Sequence, residues 1–103
     1  CGGADLLRQI ENAERWLKAH RTDAALLLAL GRLCARQQLW GKAQSYLEAS
    51  VALEPTYVAH LELAQLHERL EHADAARAHH RASLELAVAQ LNRTGAGRRR
   101  KPV

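Results

Sequence analysis

Six histidines are the residues of this 103-residue chain whose chemistry best suits ligand binding, and three of them share a pattern. His60 and His67 are seven positions apart, which places them two turns apart on one face of a helix. His80 lies further along, on a second helix that we expect to face the first. Imidazole nitrogen binds haem iron and divalent metal ions, so these three residues are candidates for a haem, porphyrin or metal site.

Packing explains the same three histidines without a ligand. An imidazole ring fills an aromatic-sized space between helices, and the sequence has no His-x3-His pair of the kind that binds a metal on one helix. We therefore predict that His60, His67 and His80 pack between helices and that the protein needs no cofactor. Ligand binding by these histidines is the alternative.

Residue combinations typical of enzymes are missing from the sequence. It has no glycine-rich phosphate loop, no nucleophile elbow and no recognisable pair of catalytic carboxylates. Cys34 lies on the apolar face of a predicted helix, where a cysteine usually acts as a small buried hydrophobe. Cys1 and Cys34 are too few for a disulfide framework or a zinc site. We predict that the protein is not an enzyme.

The net charge of +4 comes from one end of the chain. Five of the 15 basic residues lie from Arg93 onward, which leaves ten basic residues against all 11 acidic residues in positions 1–91. Positions 92–103 are rich in glycine and arginine and lack core residues, so we predict a disordered basic tail. The four basic residues at 98–101 could contact nucleic acid or an anionic membrane, but so short a run is more often a solvated end, so no nucleic-acid partner is expected. No run of about 20 apolar residues is present, so no membrane span is predicted.

An internal repeat organises the rest of the chain. When the numbering is shifted by 33 residues, the segment LLALGRLCARQQLWGKAQSYLEAS aligns with HLELAQLHERLEHADAARAHHRAS. Identical pairs include Leu30/Leu63, Arg36/Arg69, Ala43/Ala76 and Ser50/Ser83. A period of 33–34 residues, made of two helices, is typical of helical-repeat proteins.

The apolar periodicity predicts five helices. We expect them at about 4–20, 24–37, 40–53, 57–70 and 73–91. Asp23 is a good N-cap for the second helix, and Pro55 ends the third because proline cannot continue the hydrogen-bond ladder.

Small residues on these helices predict close contacts between them. We expect Gly31 on the second helix to meet Ala43 on the third, and Ser50 to face the helix that follows. The neighbouring large residues are expected to fill the space between the helices; they are Leu27, Leu30, Trp40 and Leu47.

These positions resemble the tetratricopeptide repeat. The matching residues of the first unit are Leu27, Leu30, Gly31, Cys34, Trp40, Ala43, Leu47, Ser50 and Pro55. The second unit departs from the pattern where histidines replace its large packing residues. The resemblance implies an all-α, right-handed stack of helices. Its parts would be a partial-repeat helix at 1–23, repeats at 24–56 and 57–91, and the tail at 92–103.

The tetratricopeptide resemblance also implies a partner-binding groove lined by the first helix of each unit. Transferred to this chain, its positions are Ala25, Leu28, Arg32, Ala35, Arg36, Val58, Leu61, Gln65, Glu68 and Arg69. Arg36 and Arg69 are equivalent in the two units, so we expect them side by side, where they suit a peptide carboxylate or an acidic segment. Alternatively, they are solvated surface charges or pair with Glu68.

A closer resemblance concerns the segments AERWLKAH, DAALLLALGRLC and LWGKAQSYLEAS, followed by one more repeat. They are similar to the C-terminal region of the HemY family, which is associated with haem biosynthesis. That resemblance implies a membrane-anchored full-length protein whose repeat region lies on the cytoplasmic side of the bacterial inner membrane. It also implies a link to porphyrin metabolism.

Three functions are compatible with these patterns. The first is a protein-interaction module, a scaffold or adaptor, that binds a protein or peptide through its groove. The second is a haem, porphyrin or metal carrier that uses His60, His67 and His80. The third is self-association through the exposed ends of the stack, where Trp16 and Leu17 would be partly uncovered.

Overall fold

The computed structural model describes residues 2–94, and within that range it contains five α-helices and no strand. The helices are α1 (Gly2–Ala19), α2 (Ala24–Arg36), α3 (Trp40–Leu53), α4 (Tyr57–Arg69) and α5 (Ala73–Arg93). The prediction of an all-α chain with five helices is therefore confirmed. Helix α5 continues two residues beyond the predicted end at position 91. Of the predicted tail, positions 95–103 lie outside the described residues.

Local side-chain chemistry sets the starts of α2 and α4. The carboxylate of Asp23 accepts a hydrogen bond of 3.0 Å from the backbone N–H of Leu26. The hydroxyl of Thr56 accepts one of 3.1 Å from the N–H of Ala59. Each cap satisfies one of the donors that the first helical turn leaves unpaired. The predicted N-cap at Asp23 is thus confirmed, and Thr56 repeats it 33 residues later.

The corners after α2 and α4 also repeat. Gln38 and Glu71 have φ angles of 60° and 61°, in the left-handed region. After each of them the chain turns back on the helix, where Leu39 N–H donates to the Cys34 carbonyl at 2.9 Å and His72 N–H donates to the His67 carbonyl at 2.8 Å. This 6→1 hydrogen bond closes a helix end of the Schellman type.

The helices pack in two pairs, α2 with α3 and α4 with α5, and a short corner connects the two helices of each pair. Side chains from both pairs form one core, and its largest fully buried members are Leu30, Cys34, Leu47 and Leu63. Helix α3 also packs against α4, which joins the two pairs. None of the helices described in residues 2–94 has both the length and the apolar character needed to cross a bilayer.

Helix α1 is attached to the first pair by one buried side chain and one polar cluster. Ile10 is buried in the common core. The phenol of Tyr46 on α3 donates a hydrogen bond of 2.6 Å to Glu14 Oε2, and Lys42 Nζ lies 3.0 Å from the same oxygen. The hydrogen bond from Tyr46 holds the pKa of Glu14 below its usual value, and burial raises the pKa of Tyr46. The carboxylate of Glu14 therefore stays charged between these two donors at neutral pH.

Two buried serines bind back to the helix before them. Ser50 Oγ donates to the Ala24 carbonyl and Ser83 Oγ donates to the Tyr57 carbonyl, both at 2.8 Å. We expected Ser50 to face the helix that follows. Its hydroxyl instead binds the first turn of α2, because a buried hydroxyl needs a hydrogen-bond acceptor.

The close approach of α2 to α3 is centred on Gly31 and Leu47. A Cβ atom added at Gly31 would lie 2.5 Å from both Cγ and Cδ2 of Leu47. The predicted need for a small residue at Gly31 is therefore confirmed, and the three atoms nearest to such a Cβ all belong to Leu47. Trp40, predicted to fill the core, is only half-buried.

Replacing Gly31 with alanine should lower the free energy of unfolding by up to about 2 kcal/mol. The added methyl group overlaps Leu47, which is 1% exposed. Such overpacking costs about 1–3 kcal/mol, of which roughly 1 kcal/mol is regained because alanine favours a helix more than glycine does. Urea denaturation followed by circular dichroism measures the difference.

Gly41→Ala is the matched control, because nothing lies within 4 Å of a Cβ atom at Gly41 in α3. That variant should be as stable as the wild type or more stable. Equal effects of the two substitutions would contradict the assignment of Gly31 as a contact point.

Candidate functional site

A surface groove of about 260 Å³ lies between α2 and α4 and reaches the start of α3. Its lining combines charged, aromatic and apolar side chains. They are Arg32, Ala35, Arg36, Trp40, Glu62, Gln65, Leu66 and Arg69. We call this site the α2–α4 groove.

Arg36 and Arg69 both line the α2–α4 groove, as their equivalent places in the two units predicted. The guanidinium carbon of Arg69 lies 5.6 Å from the centroid of the Trp40 ring. This distance is within the range of a cation–π interaction, so the indole ring holds one arginine in place.

A third arginine in the groove is already paired. Arg32 Nε lies 3.1 Å from Glu62 Oε2, and this ion pair connects α2 to α4. Within the described part of the chain, neither Arg36 nor Arg69 is paired with a carboxylate. Their predicted alternative partner, Glu68, lies instead 2.9 Å from His80 Nε2. The groove therefore has an excess of positive charge.

The structure places only part of the predicted groove set in the α2–α4 groove. Arg32, Ala35, Arg36, Gln65 and Arg69 line it. The remaining predicted positions lie outside it; they are Ala25, Leu28, Val58, Leu61 and Glu68. The groove is formed near the C-terminal ends of α2 and α4, where α3 begins, so residues nearer the helix starts do not reach it. Glu68 is in the last turn of α4 but contacts His80 instead.

Sequence reasoning missed three lining residues, Trp40, Glu62 and Leu66. Trp40 had been assigned to the core because large residues flanking a small one usually pack inside. The position of Trp40 could have indicated its place in the groove. It directly follows the corner at residues 37–39, where a side chain in the first helical turn lies near the end of the preceding helix.

The second possible site is a set of four histidines, His60, His67, His72 and His79, which we call the histidine cluster. His60 Nδ1 lies 2.9 Å from His79 Nδ1, and His67 Nδ1 lies 3.1 Å from His72 Nδ1. The rings of His67 and His79 are parallel, with centroids 5.5 Å apart. The cluster thus consists of two hydrogen-bonded dyads stacked on each other.

The predicted trio of histidines is therefore brought together only in part. His60 and His67 lie in the histidine cluster, but His80 faces Glu68. The neighbouring residue His79 takes its place, because one position along a helix turns a side chain by about 100°. His72, at the N-cap of α5, was not predicted as a member.

The hydrogen bonds of the histidine cluster constrain where its rings carry their protons. Each dyad shares one proton between two Nδ1 atoms, so one ring must accept while the other donates. Burial lowers the pKa of His60. Burial also lowers the pKa of His79, helped by the nearby charges of His60 and His67 and opposed by Glu48.

Cys34 occupies in the first unit the position that His67 occupies in the second. Its side chain is fully buried in the core, and burial raises the pKa of its thiol. A buried, protonated thiol is unreactive, which matches the predicted packing role.

Apolar side chains are exposed on two helices at opposite ends of the chain. Trp16 on α1 is 59% exposed and stacks on His20, and on α5 a stripe is formed by Leu84, Val88 and Leu91. Self-association through these ends stays a prediction.

Acidification should destabilise the protein through the histidine cluster. Above pH 6.5, the ordinary pKa of imidazole, His60 and His79 are neutral in both the folded and unfolded states. Below pH 6.5 the unfolded chain binds protons more readily than the folded chain, because the two pKa values are lowered in the folded state. The free energy of unfolding therefore falls as the pH drops below about 6.5. Urea denaturation at pH 7.5, 6.5 and 5.5 measures this decline.

His60→Leu introduces leucine, which is the residue at the equivalent position Leu27. In this variant the free energy of unfolding should fall less steeply as the pH drops. His20→Gln, on the exposed end of α1, should leave it unchanged. An identical pH dependence in the wild type and His60→Leu would contradict the role of His60.

Comparisons with known proteins give no family for this chain. No family model, curated protein or solved structure matches its sequence. The resemblance to tetratricopeptide repeats and to the HemY family therefore rests on the residue pattern, and function has to be argued from the α2–α4 groove and the histidine cluster.

Proposed function

We propose that this chain is a tetratricopeptide-type interaction module that binds an acidic segment or a free carboxyl end of a partner protein in the α2–α4 groove. The observation that carries the proposal is the pair of arginines, Arg36 and Arg69, that line one groove without a carboxylate partner among the described residues. The module would act as a scaffold or adaptor and not as an enzyme.

The local geometry supports a repeat architecture. The N-caps, the left-handed corners and the serine-to-carbonyl bonds each recur after 33 residues. Recurrence of independent features at one period indicates that the same two-helix unit occurs twice. Stacked two-helix units curve and present the first helix of each unit on one face, which is where α2 and α4 lie in this reading.

The groove chemistry favours carboxylates. A guanidinium group presents parallel N–H donors whose spacing matches the two oxygens of a carboxylate. The Trp40 ring under Arg69 limits the motion of that side chain, so less conformational entropy is lost when a ligand binds. Arg36 supplies a second cation in the same groove.

The Arg32–Glu62 ion pair adds two properties to the site. It connects the two walls, which holds the width of the groove. Glu62 also neutralises the positive charge of Arg32. A carboxylate ligand is therefore attracted mainly to the part of the groove near Arg36 and Arg69. An exposed ion pair contributes little stability by itself, so its role is in positioning.

The size of the groove favours a short peptide segment over a buried small molecule. Pockets for drug-sized ligands and cofactors usually enclose 300–1,000 Å³. The α2–α4 groove has about 260 Å³ and is open to the surface. This volume suits one or two side chains, or a chain end, of a larger partner.

The predicted link to haem biosynthesis rests on the HemY resemblance and concerns the identity of the partner. The haem or porphyrin carrier is the weaker proposal, because His80 does not join His60 and His67. Affinity capture with the wild-type chain and a groove variant as baits would identify the pathway to which the partner belongs.

Charge reversal in the groove should weaken carboxylate binding at least tenfold. The probe is an N-acetylated pentapeptide that ends in two glutamates, made with either a free or an amidated carboxyl end. Binding to the wild type is compared with binding to the Arg36→Glu/Arg69→Glu variant. The readout is Trp40 fluorescence in a Trp16→Phe background, because Trp40 lines the groove.

Arg8→Glu/Arg81→Glu is the matched control, since both arginines are exposed and neither lines the groove. This variant carries the same change in net charge and should bind like the wild type. Equal loss of affinity in both double variants would indicate long-range charge attraction only and would overturn the groove assignment. Failure of the wild type to bind either peptide would overturn it as well.

A further inference from the structure

The two dyads of the histidine cluster lie outside the α2–α4 groove. Each is a contact between two imidazole nitrogens of the same kind. In both dyads the paired atoms are Nδ1 nitrogens, at 2.9 Å between His60 and His79 and at 3.1 Å between His67 and His72. The first dyad connects α4 to α5 along their length. The second closes the corner between the same two helices.

We propose that each dyad is a chelating site for a divalent transition-metal ion that prefers cis nitrogen ligands at right angles, such as Ni²⁺ or Cu²⁺. The proton between the two rings moves to an Nε2 atom, the rings turn so that both Nδ1 lone pairs point to one side, and the ion binds one Nδ1 atom from each ring. Water molecules complete its coordination shell. The two sites stand next to each other because His67 stacks on His79.

The distances between the nitrogen atoms define the preferred ion. With metal–nitrogen bonds of about 2.0–2.1 Å, separations of 2.9 and 3.1 Å correspond to angles at the metal of about 90° and 100°. Octahedral and tetragonal ions use angles of this size. Among the described residues no group of three or more His, Cys, Asp or Glu side chains is arranged for a metal. Each site is therefore a two-ligand site that leaves coordination positions open.

The protonation state of the dyads suits metal binding. In a neutral dyad the Nδ1 lone pair of one ring accepts the Nδ1–H of the other, and that proton must move to Nε2 of its own ring before both Nδ1 atoms can bind an ion. This change of tautomer moves a proton within one ring through solvent, so a neutral dyad binds the ion without net release of protons.

Both sites have a path to solvent and a compatible charge environment. His72 is exposed, and His60 and His79 are half-buried, whereas His67 is 6% exposed. Glu48 on α3 acts electrostatically on His79 and favours a positive charge there. The carboxylate therefore partly compensates for a bound cation next to the first dyad.

Ni²⁺ titration followed by isothermal calorimetry tests the proposal at pH 7.5. The protein is used without a polyhistidine tag and in a Cys1→Ser background, so that neither the tag nor the first thiol competes. The wild type should bind two equivalents of Ni²⁺. His79→Ala and His72→Ala should each bind one equivalent, and the His72→Ala/His79→Ala double variant should bind none with comparable affinity.

His80→Gln is the matched control, because His80 neighbours His79 in sequence but faces Glu68. It should keep both equivalents. His60→Leu provides a second test of the first dyad, since leucine occupies the equivalent position 27 and preserves packing. Circular dichroism confirms that each variant is folded before it is titrated.

A structural effect accompanies binding and gives a second readout. An ion on the first dyad connects α4 to α5 and binds only the folded chain, so Ni²⁺ should raise the thermal midpoint of the wild type and of His80→Gln. It should not raise the midpoint of the double variant. Two-dimensional NMR should show Ni²⁺ broadening the imidazole signals of the histidine cluster while those of His20 on α1 stay sharp.

Three results would overturn the proposal. The first is no Ni²⁺ binding by the folded wild type up to 1 mM, roughly the weakest affinity that calorimetry of such a site resolves. The second is unchanged stoichiometry in the folded double variant. The third is loss of binding in His80→Gln equal to that in His79→Ala. None of these results bears on the α2–α4 groove, whose peptide assay is separate.

Discussion

The contact between Gly31 of α2 and Leu47 of α3 is the constraint on which the rest of the structure depends. Leu47 occupies the space that any side chain at Gly31 would need, so the two backbones approach closely. This contact holds together the two helices that end and begin at the corner before Trp40. Trp40 supports Arg69 across the α2–α4 groove. The buried contact between Gly31 and Leu47 therefore helps to shape the binding surface, although neither residue lines the groove.

The second helix pair, α4 and α5, has the same local structure as the first pair but different side chains between its helices. Where the first pair has Leu27 and Cys34, the second has His60 and His67. A polar ring between helices is tolerated only when its nitrogens find partners, and the dyads with His79 and His72 provide them. No buried side-chain nitrogen or oxygen in the described residues is left without a hydrogen bond. The substitution therefore keeps the packing while it makes this pair sensitive to protons and, by our proposal, to metal ions.

The two sites are separate in both place and chemistry. The α2–α4 groove is cationic, open and formed by residues of three helices, whereas the histidine cluster lies between α4 and α5. Helix α4 contributes to both, with Glu62 and Arg69 in the groove and His60 and His67 in the cluster.

The sequence by itself determined the helices, their order and their repeat, because apolar periodicity, capping residues and proline act locally. The cap at Asp23 and all four starts from α2 to α5 were predictable in this way. The places of the corners were predictable too, but their left-handed conformation was not, because Gln38 and Glu71 stand where glycine is the usual residue. Only the tertiary structure decided that His79 rather than His80 joins the histidine cluster and that Glu62 pairs with Arg32. The rotation of a helix about its axis is set by packing against several neighbours at once, and one position along α5 separates His79 in its half-buried dyad from His80 in its exposed hydrogen bond with Glu68.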